Sequence, residues 1–517
     1  MASFALISVS DKTNIIPLAR VLTKKFNYKI LSSGGTAKYL TEANIPVIKV
    51  SDFTESPEIL EGRVKTLHPK IHGGILAKRS NKDHLNDVKK NNISLIDLVI
   101  VNLYPFKEKI ENKCSWDEAI ENIDIGGPSM IRSAAKNHAD ISVLVHPNQY
   151  DEFLEKLEHG HLNAEYKTRL AFRAFEHTAS YDAAISNWMR KEKDFTSNNY
   201  LDSYPLVKKL RYGENPHQKS LWYGSNKKGW NAAKQLQGKE LSHNNLLDLD
   251  SALSTVLEFG YDTSNKLSSN KNAAIVVKHN NPCGAAIANS ISSAFQKALE
   301  CDKVSAFGGI VALNNSLDAE TAFKLENIFL ECVVAPSFEK EALEILQSKK
   351  NLRLIELKKE MIEIESRYIS KSILGGILSQ EYDDIDNDES KWEISTNRSP
   401  SEEELSDLKF AWKVCKHVKS NGIVIVKGLK TIGIGAGQMN RVGAAEIALK
   451  AAQEFSEGAV LASDGFFPFA DTIELAHKYG ISSIIQPGGS IRDKESINMA
   501  NSKNISMVMT QKRHFLH

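Results

Sequence analysis

Residues 273–286, AAIVVKHNNPCGAA, constrain the fold more than any other stretch of this chain. Ile275, Val276 and Val277 are a continuous apolar, β-branched run, the pattern of a short strand covered on both faces of its sheet. The run stops at Lys278 and His279, with Asn280, Asn281 and Pro282 behind them. A cation, an imidazole and two amides at a strand's carboxyl end sit where open α/β sheets place their chemistry. An imidazole exchanges a proton near neutral pH, and an adjacent cation favours its neutral, basic form. A polar strand exit with a satisfied histidine is the plain alternative, and the dyad alone does not choose between them.

A chain of 517 residues is too long for one core, so two to four domains are expected. With 42% apolar and 25% charged residues it reads as globular, and a net charge of +1 argues against nucleic acid as a bulk partner. No basic region precedes the first short apolar run, so no secretory signal is expected, and no stretch approaches the length of a membrane span. Cys114, Cys283, Cys301, Cys332 and Cys415 are scattered and never form CxxC, which suits reduced thiols in a cytoplasmic enzyme.

In the first third, residues 4–9 read as a strand with Ser10, Asp11, Lys12 and Thr13 at its exit, and residues 14–26 have helical spacing. A second strand, 28–31, runs into Ser32, Ser33, Gly34, Gly35 and Thr36, with a helix from Ala37. A Gly/Ser/Thr turn before a helix can cradle phosphate, because free amides and the helix dipole face the anion. A plain tight turn is the alternative, and the lysine of a P-loop is absent. Residues 63–74, RVKTLHPKIHGG, place Arg63, Lys65, His68, Lys70 and His72 together without an acid. The strand LIDLVIVNL, 95–103, exits at Asn102, Tyr104 and Pro105. Asp124 precedes Gly126, Gly127 and Pro128 as helix cap or site acid, and that helix carries Arg132, Lys136 and Asn137. Alternating strands and helices make this third a parallel α/β domain.

SVSDKT, SSGGT, RVKTLHPKIHGG, NLYPF and DIGGPSMIRSAAKN, in this order, resemble the inosine monophosphate cyclohydrolase domain of the bifunctional purine biosynthesis enzymes. The resemblance implies a fold like methylglyoxal synthase. It implies that Ser10, Lys12, Ser33, Gly34, Gly35, Thr36, Arg63, Lys65 and Thr66 hold a nucleotide, and that Lys65, Tyr104, Asp124 and Lys136 close its ring. In that reaction an amine attacks a formamide carbon whose oxygen turns negative and leaves as water. Cations at the oxygen and an acid/base partner meet the demand.

The polar run 196–199 reads as a linker, placing domains at 1–198 and 199–517. Beyond it lie Arg211, suited to phosphate by its fork of donors, and Tyr212. A helix is expected over 246–259 and a strand with a small-residue opening over 304–311. Glu331 is a site acid or a helix-end charge. A second α/β subdomain is expected to begin at 373–378, a split near 372, with a surface loop over 383–401. Residues 433–441, GIGAGQMNR, lack the strand and ribose acid of a dinucleotide fingerprint. The basic, aromatic tail is either docked or frayed.

LRYGENPHQ, VVKHNNPCGAA, SAFGGIVAL, VKSN, IGIGAGQMNR, SDGFFPF, QPGGSIRD and the terminal RHF resemble the other half of the same family, the aminoimidazole carboxamide ribonucleotide formyltransferase. This implies two α/β subdomains like cytidine deaminase but without zinc. It also implies 10-formyltetrahydrofolate as co-substrate and a homodimer with formyltransferase sites at its interface. Lys278 and His279 would be catalytic, His279 as base, with Asn421 assisting. Arg211, Tyr212, Phe307, Gly308, Glu331, Arg441, Phe466 and Arg513 would bind nucleotide or line the site. Two departures stand out: Ala470 replaces a common arginine, and Glu331 stands where some relatives have aspartate. A structural monovalent cation is compatible with the resemblance but has no signature here. A zinc deaminase would need HxE and PCxxC, yet Ala286 replaces the second cysteine and asparagines follow His279, so no metal ligands are assigned. The remaining alternative, a non-catalytic nucleotide binder, is opposed by intact Lys65, Tyr104, Lys136, Lys278 and His279.

Overall fold

The computed structural model describes residues 3–225, 228–262, 271–362, 368–383 and 389–517. The chain divides into two compact units, Met1–Ser203 and Tyr204–His517. In the first, strands β1 (Phe4–Val9), β2 (Lys29–Ser32), β3 (Val47–Lys49), β4 (Leu98–Asn102) and β5 (Ser142–Leu144) form a parallel sheet of order β3-β2-β1-β4-β5. The order reverses between β1 and β4, and that switch point opens a crevice at the carboxyl ends of the two strands. Every residue of β4, LVIVN, is buried, as a central parallel strand requires. The helix expected from Ala37 begins earlier, as Gly34–Glu42, so Gly34 and Gly35 are its first turn.

The second unit opens with an antiparallel pair, β6 (Leu206–Leu210) and β7 (Ser220–Tyr223). Its first sheet contains β8 (Lys234–Gln237), β9 (Asn272–Lys278), β10 (Asn281–Ala288), β11 (Ile310–Leu313), β12 (Cys332–Ala335) and β13 (Arg353–Glu356), in the order β10-β9-β11-β12-β13-β8. A separate two-stranded ribbon, β14 (Tyr368–Ile373) and β15 (Gly376–Glu381), follows. The second sheet contains β16 (Glu393–Ile394), β17 (Ile423–Val426), β18 (Thr431–Gly435), β19 (Val460–Ser463), β20 (Ser483–Gln486) and β21 (Ser506–Met509), in the order β16-β21-β20-β19-β17-β18.

The two sheets are the same device used twice. Each has an antiparallel edge strand, a helix, a hairpin, and then three parallel strands, the first of which pairs antiparallel with the hairpin. Helices His243–Leu257 and Glu402–Cys415 pack with one face of each sheet in a shared core that holds Ile275, Val277, Val424 and Val426. The opposite faces build separate cores around Val276 and Ile425. Gly284 and Gly433 hold matching places in the two hairpins, where a Cβ would collide with the carbonyl of Ala298 or Ala448 on the covering helix.

Three expectations change. β9 runs antiparallel to both neighbours, so Lys278 and His279 lie at the amino edge of β11, β12 and β13, not at the carboxyl edge that the doubly wound rule suggested. Residues 303–308 are turns, and the strand expected from 304 begins only at Ile310. The run 373–378 belongs to the exposed ribbon, and the second sheet starts at Glu393. Part of the loop expected over 383–401, residues 384–388, lies outside the described residues.

Candidate active sites

At the switch point of the first unit, Asn102 ties β4 to the exit of β1. Its Oδ1 accepts the Ser10 and Asp11 N–H groups at 2.7 and 2.9 Å, and its Nδ2 donates to the Asp11 carbonyl at 3.0 Å. Thr36 completes the frame, accepting from the Val9 N–H at 3.1 Å and donating to its carbonyl at 3.0 Å. Gly34 has φ +53°, and a Cβ there would stand 3.3 Å from the Lys65 ammonium. Lys65 therefore sits directly at the Ser33, Gly34, Gly35 turn. Thr66 lies against Gly126, where any Cβ would meet its hydroxyl at 2.6 Å.

Asp124 Oδ1 caps the helix Gly126–Lys136 through the Gly127 N–H at 2.8 Å, while the Asp124 N–H donates to the Tyr181 hydroxyl at 2.9 Å. Burial pushes its carboxyl above the ordinary carboxylate value, against the Gly127 hydrogen bond and the Lys65 charge, which pull it down. Cap and candidate acid/base are thus the same side chain. Tyr104 is exposed beside this region. Arg63, also exposed, pairs with Glu121, and Lys70 pairs with Glu55 at 2.8 Å, so the acid-free segment takes its acids from elsewhere in the chain. Lys136 is carried by the same helix, Gly126–Lys136. It ends the helix that Asp124 caps, about 15 Å further along its axis.

In the second unit, the Lys278 ammonium donates to the Phe307 and Gly308 carbonyls at 3.0 and 2.9 Å. Gly308 has φ +69°, and a Cβ there would stand 3.0 Å from that ammonium. Phe307 is exposed and its ring lies 5.1 Å from that of Phe329. His279 projects into solvent from the β9–β10 turn. Glu331 joins this edge through its N–H to the Gly309 carbonyl, but its carboxylate is engaged by Arg353 at 2.6 Å. The Arg211 guanidinium lies 5.3 Å from the Tyr212 ring centre, and their loop meets helix His243–Leu257 where Asn244 donates to the Glu214 carbonyl.

A second cluster occupies the carboxyl edge of β19. Arg441, buried, pairs with the fully buried Asp464 and donates to Ser463 Oγ at 2.9 Å and Asn421 Oδ1 at 2.7 Å. Its fork is thus spent on internal acceptors, and it orients Asn421. Gly465 lets the Phe515 ring and the Arg441 guanidinium approach, with half-exposed Phe466 adjoining and Arg513 stacked on Phe515 at 4.6 Å. The tail is docked: His514 donates its N–H to the Asp464 carbonyl, and Ser420 exchanges hydrogen bonds with Leu516. Asn281 links the clusters, its Oδ1 accepting from the Lys419 N–H at 3.0 Å and its Nδ2 donating to the His279 carbonyl at 3.3 Å.

Asn102, noted from sequence only as a strand exit, and Tyr181, Asp248 and Asp464, which were not singled out there, shape these sites. Their partners lie 23 to 92 residues away, so only an Asn at the exit of β4 left any local signal. Among the described residues, no group of three His, Cys, Asp or Glu side chains is placed to hold a metal ion. Burial pushes the Cys283 thiol up to about 12, and it donates to the Val276 carbonyl.

Two α/β units, each collecting cations, a candidate acid/base group and glycine turns at strand ends, define a two-site enzyme of anionic small molecules. Residues 134–451 match the family model described as AICARFT/IMPCHase bienzyme, and residues 14–129 match the MGS-like domain. The chain is 67% identical to the bifunctional purine biosynthesis protein PurH of Prochlorococcus marinus strain MIT 9515, with each covered over its full length. The PurH proteins of strains AS9601 and MIT 9211 are 65% and 59% identical over the same full coverage. The chain belongs to the bifunctional purine biosynthesis family, which formylates aminoimidazole carboxamide ribonucleotide and closes the product to inosine monophosphate.

Proposed function

We propose that ring closure is carried out in the first unit and formyl transfer in the second, with a functional boundary near Asn198. For ring closure, Lys65 holds the formamide oxygen as it turns negative, with the nucleotide phosphate against Ser33, Gly34, Gly35, Thr36, Lys12 and Ser10. Arg63 and Thr66 flank it. Asp124, with its raised carboxyl beside that cation, passes the proton of the attacking nitrogen to the oxygen. The formamide N–H gives up the second proton as the C–O bond breaks, a C=N bond forms and the oxygen leaves as water. Tyr104 closes the open side, and Lys136, at the end of the helix that Asp124 caps, supplies a second cation to the formamide oxygen.

For formyl transfer, His279 takes the proton of the carboxamide-flanked amine as it attacks the formyl carbon of 10-formyltetrahydrofolate. Lys278 steadies the oxygen or protonates the departing folate nitrogen, and Asn421, held by Arg441, assists. Arg211, Tyr212, Phe307, Gly308, Glu331, Phe466 and Arg513 line this site. We assign no metal to either step, and a structural monovalent cation near the second unit is compatible with the family resemblance. The observation that carries the reading is Lys278, pinned on the carbonyls of Phe307 and Gly308 beside His279.

A cytoplasmic homodimer completes the reading. Its support is the ribbon β14–β15, which pairs with no further strand among the described residues and exposes Ile369, Ile373 and Leu378 on one face. Two strands alone are marginal in water, so a covering surface is needed. No helix among the described residues is long and apolar enough to cross a membrane. Ultraviolet assays of both reactions test the two-site division. Lys65→Ala should lose ring closure only, and His279→Ala formyl transfer only. Loss of both activities in either variant would overturn the division.

A further inference from the structure

Helix His243–Leu257 runs beside the β9–β10 turn and grips its backbone at His279 and Asn280. Asp248 Oδ1 accepts the Asn280 N–H at 2.7 Å, and Ser251, three residues on, donates its hydroxyl to the Asn280 carbonyl at 3.1 Å. His279 and Asn280 both adopt left-handed backbone, φ 51° and 60°, which side-chain-bearing residues adopt at a cost. The Asp248 carboxylate also lies within electrostatic reach of His279 and Lys278.

The second half repeats this device without a catalytic side chain. Asp407, on helix Glu402–Cys415, accepts the Gly428 and Leu429 N–H groups, each at 2.7 Å, and that turn has φ 64° and 56°. Lys427 donates to the Glu457 carbonyl at 2.6 Å, as Lys278 does to Phe307, with Gly458 at φ 70° matching Gly308 at 69°. What differs is what the turn presents. Gly428 accepts left-handed backbone freely, whereas His279 stands in the matching place against its preference. Strain of this kind persists where surrounding structure enforces it, and here the enforcing group is the aspartate clamp.

We infer that Asp248 is a positioning residue for formyl transfer: through the Asn280 N–H it locks the turn that aims His279, while the equivalent clamp at Asp407 serves the fold alone. This rests on the reading of His279 as the base. The test uses the full chain, assays both reactions, and compares Asp248→Ala, Asp248→Asn, Asp407→Ala, His279→Gly and the double variant Asp248→Ala with His279→Gly. Asp248→Ala should lower kcat for formyl transfer about 10- to 100-fold, with KM for the nucleotide within about twofold and ring closure unchanged. Asp248→Asn keeps an acceptor oxygen and should recover to within about threefold of the parent. Asp407→Ala should lower Tm as much as Asp248→Ala does, yet leave formyl transfer intact. Relative to His279→Gly, the double variant should show no further loss.

Three results would overturn the clamp alone, given an inactive His279→Gly: full activity in Asp248→Ala, equal loss in Asp248→Asn, or equal loss in Asp407→Ala. Additive losses in the double variant would do the same. Full formyl transfer in His279→Gly would instead overturn the base assignment, and the clamp proposal with it.

Discussion

Gly308 shows how closely single residues determine the proposed formyltransferase site. Its φ of +69° and a would-be Cβ 3.0 Å from the Lys278 ammonium mean that Gly308→Ala both strains the backbone and displaces the cation. The backbone cost is about 1–2 kcal/mol, and formyl transfer should fall at least about tenfold while ring closure holds. Parallel assays check this, and an undiminished formyl-transfer rate would remove Lys278 from the chemistry. In the proposed ring closure Asp124 couples function to stability. Because burial raises its carboxyl, the protonated form favours folding: that contribution is complete below the ordinary carboxylate value and lost as pH rises through the raised one. At neutral pH the ionised group therefore costs stability. Asp124→Asn keeps a capping oxygen and should melt no lower than the parent at pH 7, while ring closure drops about 10²- to 10⁴-fold. Calorimetry with the ring-closure assay decides, and a lower melting temperature would mean that the ionised carboxylate stabilises the fold.

At the scale of elements, helices His243–Leu257 and Glu402–Cys415 share one core, and Glu258 joins their ends. Its carboxylate meets Lys416 at 2.9 Å and His417 at 3.1 Å. Burial alone would raise this carboxyl, but the His417 hydrogen bond and charge, with those of Lys416, hold it down to about 2. A depressed carboxyl contributes stability that is present above its unfolded value, near 4.3, and lost as pH falls towards 2. That contribution is on the order of 3 kcal/mol. The urea midpoint of the parent should fall between pH 5 and about pH 2.5, and Glu258→Gln should lower the pH 5 midpoint and flatten the dependence. An equally steep dependence in the variant would assign the acid sensitivity elsewhere.

For the whole molecule, the ribbon β14–β15 makes the proposed dimer testable. Ile373→Asp with Leu378→Asp places two carboxylates on the apolar face. Sedimentation should then shift from dimer to monomer at micromolar concentration, and an unchanged dimer would exclude the ribbon from the interface.

The alternation of short β-branched runs with helical spacing was enough for two α/β units, because burial on both faces of a sheet leaves a local trace. Ile275 to Val277, Leu98 to Val101 and Ile423 to Val426 are strands where their composition says they should be. The glycine turns were legible for the same reason, since the left-handed backbone at Gly34 and Gly308 is a demand on the local residue. Direction and long-range partnership were not. Whether β9 runs with or against β11 depends on how the hairpin folds back, and no residue within β9 encodes it. Arg63 with Glu121, Arg441 with Asp464, and the clamp of Asp248 on the His279 turn join segments 23 to 58 residues apart. Local sequence supplied the side chains proposed for each site, whereas only the packed structure could decide which side chains the helices bring against them.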